Sequence, residues 1–327
     1  MEKGNKVIKE GSLRAWFLAS RPKTLTGAIA PVLIGGALAL KELGMRSEEL
    51  GIRNEELGID CSGVGLINNK SQIIIPFLIC LLFAMLMQID ANFVNDWWDF
   101  KKGTDREDRL GPDRACAQGW IKPKSMFVGI IVTTVLSCVV GLLLLLCHQQ
   151  WELVLVGIAC VIGCFIYTLK LSYIGLGDLL VLIFFGIVPV GFTYYVMTNG
   201  MWTLDVTLAG VGMGLITDCL LMVNNYRDYE QDKISGKKTL VVRFGKPFGR
   251  TAYIVLACVA VALMNVVVSR INTELYGKIG GTIVLFLACT LFINMEELEG
   301  KALNKLLGKK ALMIFLYGLL FAACIIL

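Results

Sequence analysis

The sequence predicts an all-α, polytopic membrane protein. Three observations carry that reading. The 327 residues are 56% hydrophobic and only 17% charged, too apolar for an ordinary soluble domain. Nine apolar runs recur along the chain, several of them reaching the roughly 20 residues that span a bilayer. Lys and Arg concentrate in alternate connecting segments, as cytoplasmic loops do.

Residues 1–23 form a basic segment carrying Lys3, Lys6, Lys9, Arg14, Arg21 and Lys23. Trp16 and Phe17 give it an interfacial character. No secretory signal is expected, because the start is polar through Arg14 and the first apolar run lacks a small-residue cleavage site. The apolar runs lie at about 25–40, 73–94, 126–147, 152–169, 179–197, 206–223, 251–268, 279–295 and 311–327. With the N-terminus cytoplasmic, the inside segments hold 25 Lys and Arg and the outside segments hold 6. That asymmetry sets the expected orientation in the cell (inner) membrane. No polar stretch is long enough for a separate soluble core, so residues 1–327 read as one membrane domain. Residues 42–60 run ELGMRSE, ELGIRNE, ELGID, a seven-residue repeat. It is too short for a coiled coil and reads as an insert in an external loop.

The eleven cysteines lie mostly in apolar runs without CxxC pairs, so disulfides and zinc are not expected. Cys160 and Cys164 read as small hydrophobes. The one histidine, His148, sits far from the acidic residues, which leaves no basis for a histidine-centred site. The net charge of +5 does not point to a nucleic-acid partner; the partners expected are lipid and lipid-borne substrates.

Two polar stretches interrupt this apolar background. The first is NDWWDFKKGTD, Asn95 to Asp105. Asn95 and Asp99 are four apart and share a helix face, with Asp96 near it. Gln88 and Asn92 continue the stripe upstream. The second is NNYRDYEQD, where Asn224, Asp228 and Asp232 repeat the spacing of four. A charge at the centre of a membrane helix costs roughly 2.5–3.5 kcal/mol on insertion scales, so polar stripes at the edges of apolar runs need a reason. Isolated charges at helix ends are ordinarily solvated loop residues. The same Asn-to-Asp spacing appearing twice, both times on the cytoplasmic side, reads instead as two halves of one site.

Carboxylates and amides without histidine suit a hard cation. Mg²⁺ takes one or two carboxylates and completes its shell with water and substrate phosphates. Lys101, Lys102, Arg109 and Arg114 flank the first cluster, and Arg227, Lys233, Lys237 and Lys238 the second. Acid and base together point to a metal-bound diphosphate gripped by cations, above an apolar chamber for a hydrocarbon tail. Trp97 and Trp98 read as interfacial anchors.

The stretches NDWWDFKKGTDREDRLGPDR, NNYRDYEQDKISGKKTL, RPKTLTGAIAPVLIGGALA and YIGLGDLLVLIFFG resemble the UbiA superfamily of intramembrane prenyltransferases. They are most similar to its branch acting on 1,4-dihydroxy-2-naphthoate in menaquinone synthesis. The resemblance covers nearly all of the chain after residue 20 apart from the repeat. It implies nine helices around a central cavity, with Mg²⁺ as cofactor and polyprenyl diphosphate and 1,4-dihydroxy-2-naphthoate as substrates. By match, Asn95, Asp96, Asp99 and Asp105 carry the first motif, and Asn224, Asp228 and Asp232 the second. Asp96, Asp99, Asp105, Asp228 and Asp232 are the implied metal ligands. Arg109, Arg114, Asn225, Arg227 and Lys237 fall near the implied diphosphate, and Arg21 and Lys23 at the cavity mouth. Tyr167 matches a family tyrosine in the loop after the fourth span, with Lys170 following it; the spacing on to GLGD is shorter than in many relatives. The implied reaction is ionisation of the prenyl diphosphate, attack by the naphthoate ring and loss of CO₂.

Three alternatives stand beside this one. Another aromatic acceptor, such as 4-hydroxybenzoate, would keep the chemistry. A cation-coupled transporter would place its polar site near the bilayer midplane, whereas these clusters lie at one edge. A CDP-alcohol phosphotransferase would carry a DGxxAR-type stretch, which is absent.

Overall fold

The computed structural model describes residues 8–49, 70–103, 109–147, 150–166, 171–271 and 274–327. Every expected apolar run is helical within them. A short helix α1 (Leu13–Ala19) opens the fold, capped by Ser12, whose hydroxyl accepts the Ala15 amide. Its Phe17 stays exposed while Trp16 packs edge-on against Phe93. A 3₁₀ turn, Pro22–Leu25, leads into α2 (Thr26–Glu49). Helices α3 (Lys70–Lys102), α4 (Pro123–Cys147) and α5 (Glu152–Ile166) follow. After the short α6 (Ser172–Ile174) come α7 (Gly177–Leu182) and α8 (Val188–Met197), joined by a π-helical turn at Ile183–Ile187. Helix α9 (Leu204–Arg227) is capped by Thr203. It is followed by the short α10 (Tyr229–Ile234) and α11 (Leu240–Phe244). The chain ends with α12 (Lys246–Ile271), α13 (Glu274–Glu297) and α14 (Leu303–Ile326).

Among the described residues, seven of these helical stretches are long and apolar enough to cross a membrane. Glu152–Ile166 and Lys278–Ile293 are apolar but shorter. The outward faces stay apolar: Val128, Val132, Val135 and Val139 of α4 are all exposed. A helix satisfies its backbone polar groups internally, the condition for crossing hydrocarbon. The main buried core is built from α2, α8, α9, α12, α13 and α14. A smaller cluster joins α1, α3, α4 and the 115–121 loop.

Two boundaries differ from the sequence reading. Helix α3 runs on through Lys102, about two turns past the expected apolar run at 73–94, so Asn95 and Asp99 do share a helix face. Helix α2 continues through Glu49, so the first repeat of 42–60 extends a helix, with Arg46 bonded to Glu42; residues 50–60 lie outside the described residues. A third difference concerns charge. Lys310, counted among the cytoplasmic lysines, is fully buried in α14, over the Tyr253 ring and bonded to its hydroxyl. It therefore contributes nothing to a surface charge bias.

Candidate active site

The two polar stretches meet. Helix α3 brings Asn95 and Asp99, and α9 with α10 brings Asn224, Asn225, Arg227, Asp228 and Asp232, to one cleft of about 420 Å³. Arg109, Arg114 and Lys237 line it as well. Beneath it lies an apolar chamber of about 540 Å³, walled by side chains such as Phe83, Leu144, Phe184 and Phe185. Asn95, Leu221 and Asn224 line both spaces. The stripe spacing of four explains the join: on each helix the Asn faces inward, and the Asp one turn later faces the mouth.

The carboxylates are held by cations. Arg114 donates to Asp99 at 2.7 Å, with both side chains nearly buried. Arg227 grips Asp228 through two bonds of 2.7 and 2.6 Å, the fork geometry of a guanidinium on a carboxylate. Lys237 stands 3.8 Å from Asp232. Burial pushes the Asp232 carboxyl up to about 6, against the pull of Lys237 and with the help of Asp228. Lys101 and Lys102 point elsewhere and lie over the Trp97, Trp98 and Tyr173 rings. Trp97 also packs on Phe127, an anchoring role.

Asp96 does not join the cleft. It is 1% exposed, and its two oxygens accept the Ala115 and Cys116 amides at 2.8 and 2.9 Å. This corrects its assignment as a metal ligand: one residue along a helix turns a side chain by about 100°, and Asp96 anchors the loop that carries Arg114. Arg21 and Lys23 line neither space, and Lys23 is exposed. Their segment instead docks on α3 through the Ser20 carbonyl and Thr24 hydroxyl, both taken by Asn92. Asp105, Tyr167 and Lys170 lie outside the described residues.

The structure adds residues the motifs did not name. Asn304, at the start of α14, accepts from Arg227 at 2.8 Å and donates to the Leu110 carbonyl at 2.7 Å. Asp178 and Gln231 line the cleft. Asp178 could have been noticed, since it closes the GLGD stretch; nothing around Asn304 in the sequence marks it. Gly111 passes between two guanidiniums, with the position of a Cβ there 3.2 Å from both Arg109 and Arg227. Asp90, deep in α3, is fully buried and accepts from Thr133 and Thr134, tying α3 to α4.

The donor set suits a hard metal. Asn95, Asp99, Asn224, Asp228 and Asp232 surround one cleft with oxygen donors. Among the described residues no three His, Cys, Asp or Glu side chains converge on one point.

Residues 62–317 match the UbiA prenyltransferase family. The chain belongs to that family. It is 34% identical over 266 residues to the 1,4-dihydroxy-2-naphthoate octaprenyltransferase of Haemophilus influenzae, covering 79% of this chain and 78% of that protein. It is 32% identical over 263 residues to the enzyme of the same name from Escherichia coli, covering 77% of this chain and 76% of that one. Among solved structures, a UbiA homolog from Archaeoglobus fulgidus bound to DMAPP and Mg²⁺ superposes with a TM-score of 0.58 at 14% identity, over 95% of this chain and 98% of that one. The apo UbiA homolog from Aeropyrum pernix gives 0.64 at 12% identity, over 94% and 98%. These two likenesses establish the fold. By its family and its apolar helices, the chain is a multi-pass membrane prenyltransferase.

Proposed function

We propose that the protein transfers a polyprenyl group from polyprenyl diphosphate to 1,4-dihydroxy-2-naphthoate, with Mg²⁺ required, at the cytoplasmic mouth of the inner membrane. The observation that carries this reading is the union of a cationic and acidic cleft with an apolar chamber through Asn95, Leu221 and Asn224. A diphosphate in the cleft would leave its hydrocarbon tail in the chamber. The relatives at 34% and 32% identity, named for 1,4-dihydroxy-2-naphthoate, support that acceptor.

Asp99, Asp228 and Asp232 are the cleft carboxylates from which one or two would hold each Mg²⁺, which when bound would supply positive charge beside the departing diphosphate. Arg109, Arg114, Arg227 and Lys237 bind the phosphate oxygens. Arg114 and Arg227 now neutralise Asp99 and Asp228; on substrate arrival each guanidinium exchanges a carboxylate for a phosphate, keeping its charge paired. Asn95 and Asn224 stand where the allylic carbon would lie, at the border between cleft and chamber. The allylic C–O bond breaks and diphosphate keeps the electron pair. The ring carbon bearing the carboxylate forms the new C–C bond. CO₂ then leaves, and the electrons of its bond restore the aromatic ring, giving demethylmenaquinol. The chamber walls exclude the water that would otherwise capture the cation. No side-chain nucleophile is needed.

The test is an assay of the purified protein in detergent with Mg²⁺, a long-chain prenyl diphosphate and 1,4-dihydroxy-2-naphthoate, read by mass spectrometry. The expected product is the prenylated, decarboxylated naphthoquinol, lost on adding EDTA. Transfer only to 4-hydroxybenzoate, run in parallel, would overturn the acceptor. No transfer to any aromatic would overturn the reaction.

A further inference from the structure

Among the described residues, four carboxylates line the cleft, and three of them face a cation. Asp99 meets Arg114, Asp228 meets Arg227 and Asp232 meets Lys237. The fourth, Asp178 of α7, pairs with no cation among the described residues. The donor beside its carboxylate is its own backbone amide, and its Oδ1 has no hydrogen-bond partner among the described residues. Its charged neighbour is another acid, Asp218 of α9. Asp218 is 5% exposed and lines neither the cleft nor the chamber, so Asp178 is the member of this pair that an occupant can touch.

The depth of Asp178 follows from how its span packs on α9. A Cβ built on Gly186 would meet the Gly210 carbonyl, and one built on Gly214 would lie 2.7 Å from the Leu182 carbonyl. Four residues back along the span thus correspond to four residues on along α9, as in an antiparallel pair. One more such step sets Asp178 opposite Asp218, three residues or about 4.5 Å deeper than Leu221. A helical side chain tilts toward its own N-terminus, and α7 begins at Gly177, which lines the cleft. The Asp178 carboxylate therefore rises toward the level of Leu221, one of the residues shared by cleft and chamber. Asp228, at the end of α9, is ten residues beyond Asp218, about 15 Å further along that axis. Asp178 is set apart from the carboxylates at the mouth and stands at the border where the allylic carbon would lie.

We propose that Asp178 is a specificity-determining residue whose carboxylate accepts a hydrogen bond from the 4-hydroxyl of the aromatic acceptor. This rests on the prenyl-transfer reading above. An unpaired carboxylate at the border takes either a cation or a hydrogen-bond donor. Mg²⁺ would bind with the diphosphate, among the carboxylates nearer the mouth. The prenyl chain has no donor, and an ionised diphosphate only accepts. The 1-hydroxyl of the acceptor adjoins the ring carboxylate and donates to it, which leaves the 4-hydroxyl. Seated at Asp178, that hydroxyl sets the carboxylated carbon two ring atoms away, presented to the allylic carbon, and keeps the ring from meeting it through another carbon.

The experiment pairs a protein change with a substrate change. Wild type, D178N and D178L are assayed with 1,4-dihydroxy-2-naphthoate and with its 4-methoxy analogue, and the Mg²⁺ concentration giving half-maximal rate is measured for each. In wild type the methoxy group is expected to raise the acceptor KM about tenfold. In D178L the KM for the dihydroxy acceptor rises about tenfold, and the methoxy penalty falls below about twofold. The KM for prenyl diphosphate and the Mg²⁺ requirement change less than about twofold. D178N keeps an accepting oxygen without the charge, so a penalty of about threefold remains. A Mg²⁺ requirement that rises in both variants, with the methoxy penalty intact, makes Asp178 a metal ligand and overturns the proposal. So does equal loss on both acceptors, the mark of a structural aspartate, or a wild type indifferent to the methoxy group. Should D178L fail to fold, D178N decides, since an undiminished penalty there also overturns the proposal. If wild type prenylates no hydroxylated aromatic at all, the underlying reading fails instead, and the two failures are told apart.

Discussion

Asp96 and Asp99 are three residues apart on one helix, yet their carboxylates meet different partners. Asp99 faces the cleft and Arg114, whereas Asp96 faces the Ala115 and Cys116 amides. Their variants should therefore fail differently. D99A, like D228A, is expected to abolish turnover while eluting as a folded protein with a near-normal Tm. D96A should lower the Tm, because it removes the two buried hydrogen bonds that hold the loop at Ala115 and Cys116, at about 1–3 kcal/mol each. Thermal unfolding beside product formation separates the two classes; near-normal turnover of D99A or D228A would sink the two-motif site. Asp232 makes a pH prediction. Its carboxyl is pushed up to about 6 from 3.8, so in the metal-free protein a proton competes with Mg²⁺ below about pH 6. Apparent Mg²⁺ affinity should fall as pH drops through that value, and D232N should remove the dependence. Because the folded value lies above the unfolded one, the same group favours the metal-free fold at low pH. That contribution is lost as pH rises through about 6. The motif spacing made Asp99 and Asp228 readable from sequence. It left Asp96 ambiguous, because a helical angle says where a side chain points and not what waits there.

At the scale of elements, the fifth apolar run is the most specific. Pro189 has no amide to give and crowds the carbonyl four residues back, and the run answers with a π-helical turn at Ile183–Ile187 instead of a break. Gly186 sits in that turn, against the Gly210 carbonyl and 2.6 Å, measured from a built Cβ, from the Gly214 amide nitrogen of α9. Two backbones approach this closely only where no side chain intervenes. G186A is expected to lose most folded yield, since the atoms it meets are backbone and cannot swing aside. G308A is the control. Gly308 is helical and has open space at its Cβ, so alanine there should leave yield intact and add about 0.5–1 kcal/mol of helix stability. Detergent-extracted yield and Tm of the two variants read the contrast. The proline was visible in the sequence; the glycine's importance depends on α9 lying opposite it.

Over the whole molecule, the cleft is closed by contacts between distant parts of the chain. Asn304 joins Arg227 to the Leu110 carbonyl, a link across 194 residues, and Gln231 accepts the Leu110 amide at 3.5 Å. N304A is expected to release both the guanidinium and the loop. It should lower kcat/KM for prenyl diphosphate about tenfold, with the acceptor KM changed less. Measuring both constants tests it; equal loss on both would point to general unfolding. Orientation is tested at the same scale. In right-side-out vesicles and a cysteine-free background, an impermeant thiol reagent should label R270C and spare K102C. Labelling of K102C alone would reverse the topology expected from the Lys and Arg distribution.

The sequence by itself determined where the helices run, because each apolar stretch must satisfy its backbone internally wherever it ends up. It also marked Asn95–Asp99 and Asn224–Asp232 as two polar stripes, because side-chain period along a helix is local geometry. Only the tertiary structure decided what each stripe meets. It turned Asp96 to a loop, buried Lys310 against Tyr253, brought Asn304 to Arg227 and brought the two motifs to one cleft. Each of these depends on a partner remote in the chain, and spacing along one helix carries no information about the surface packed against it.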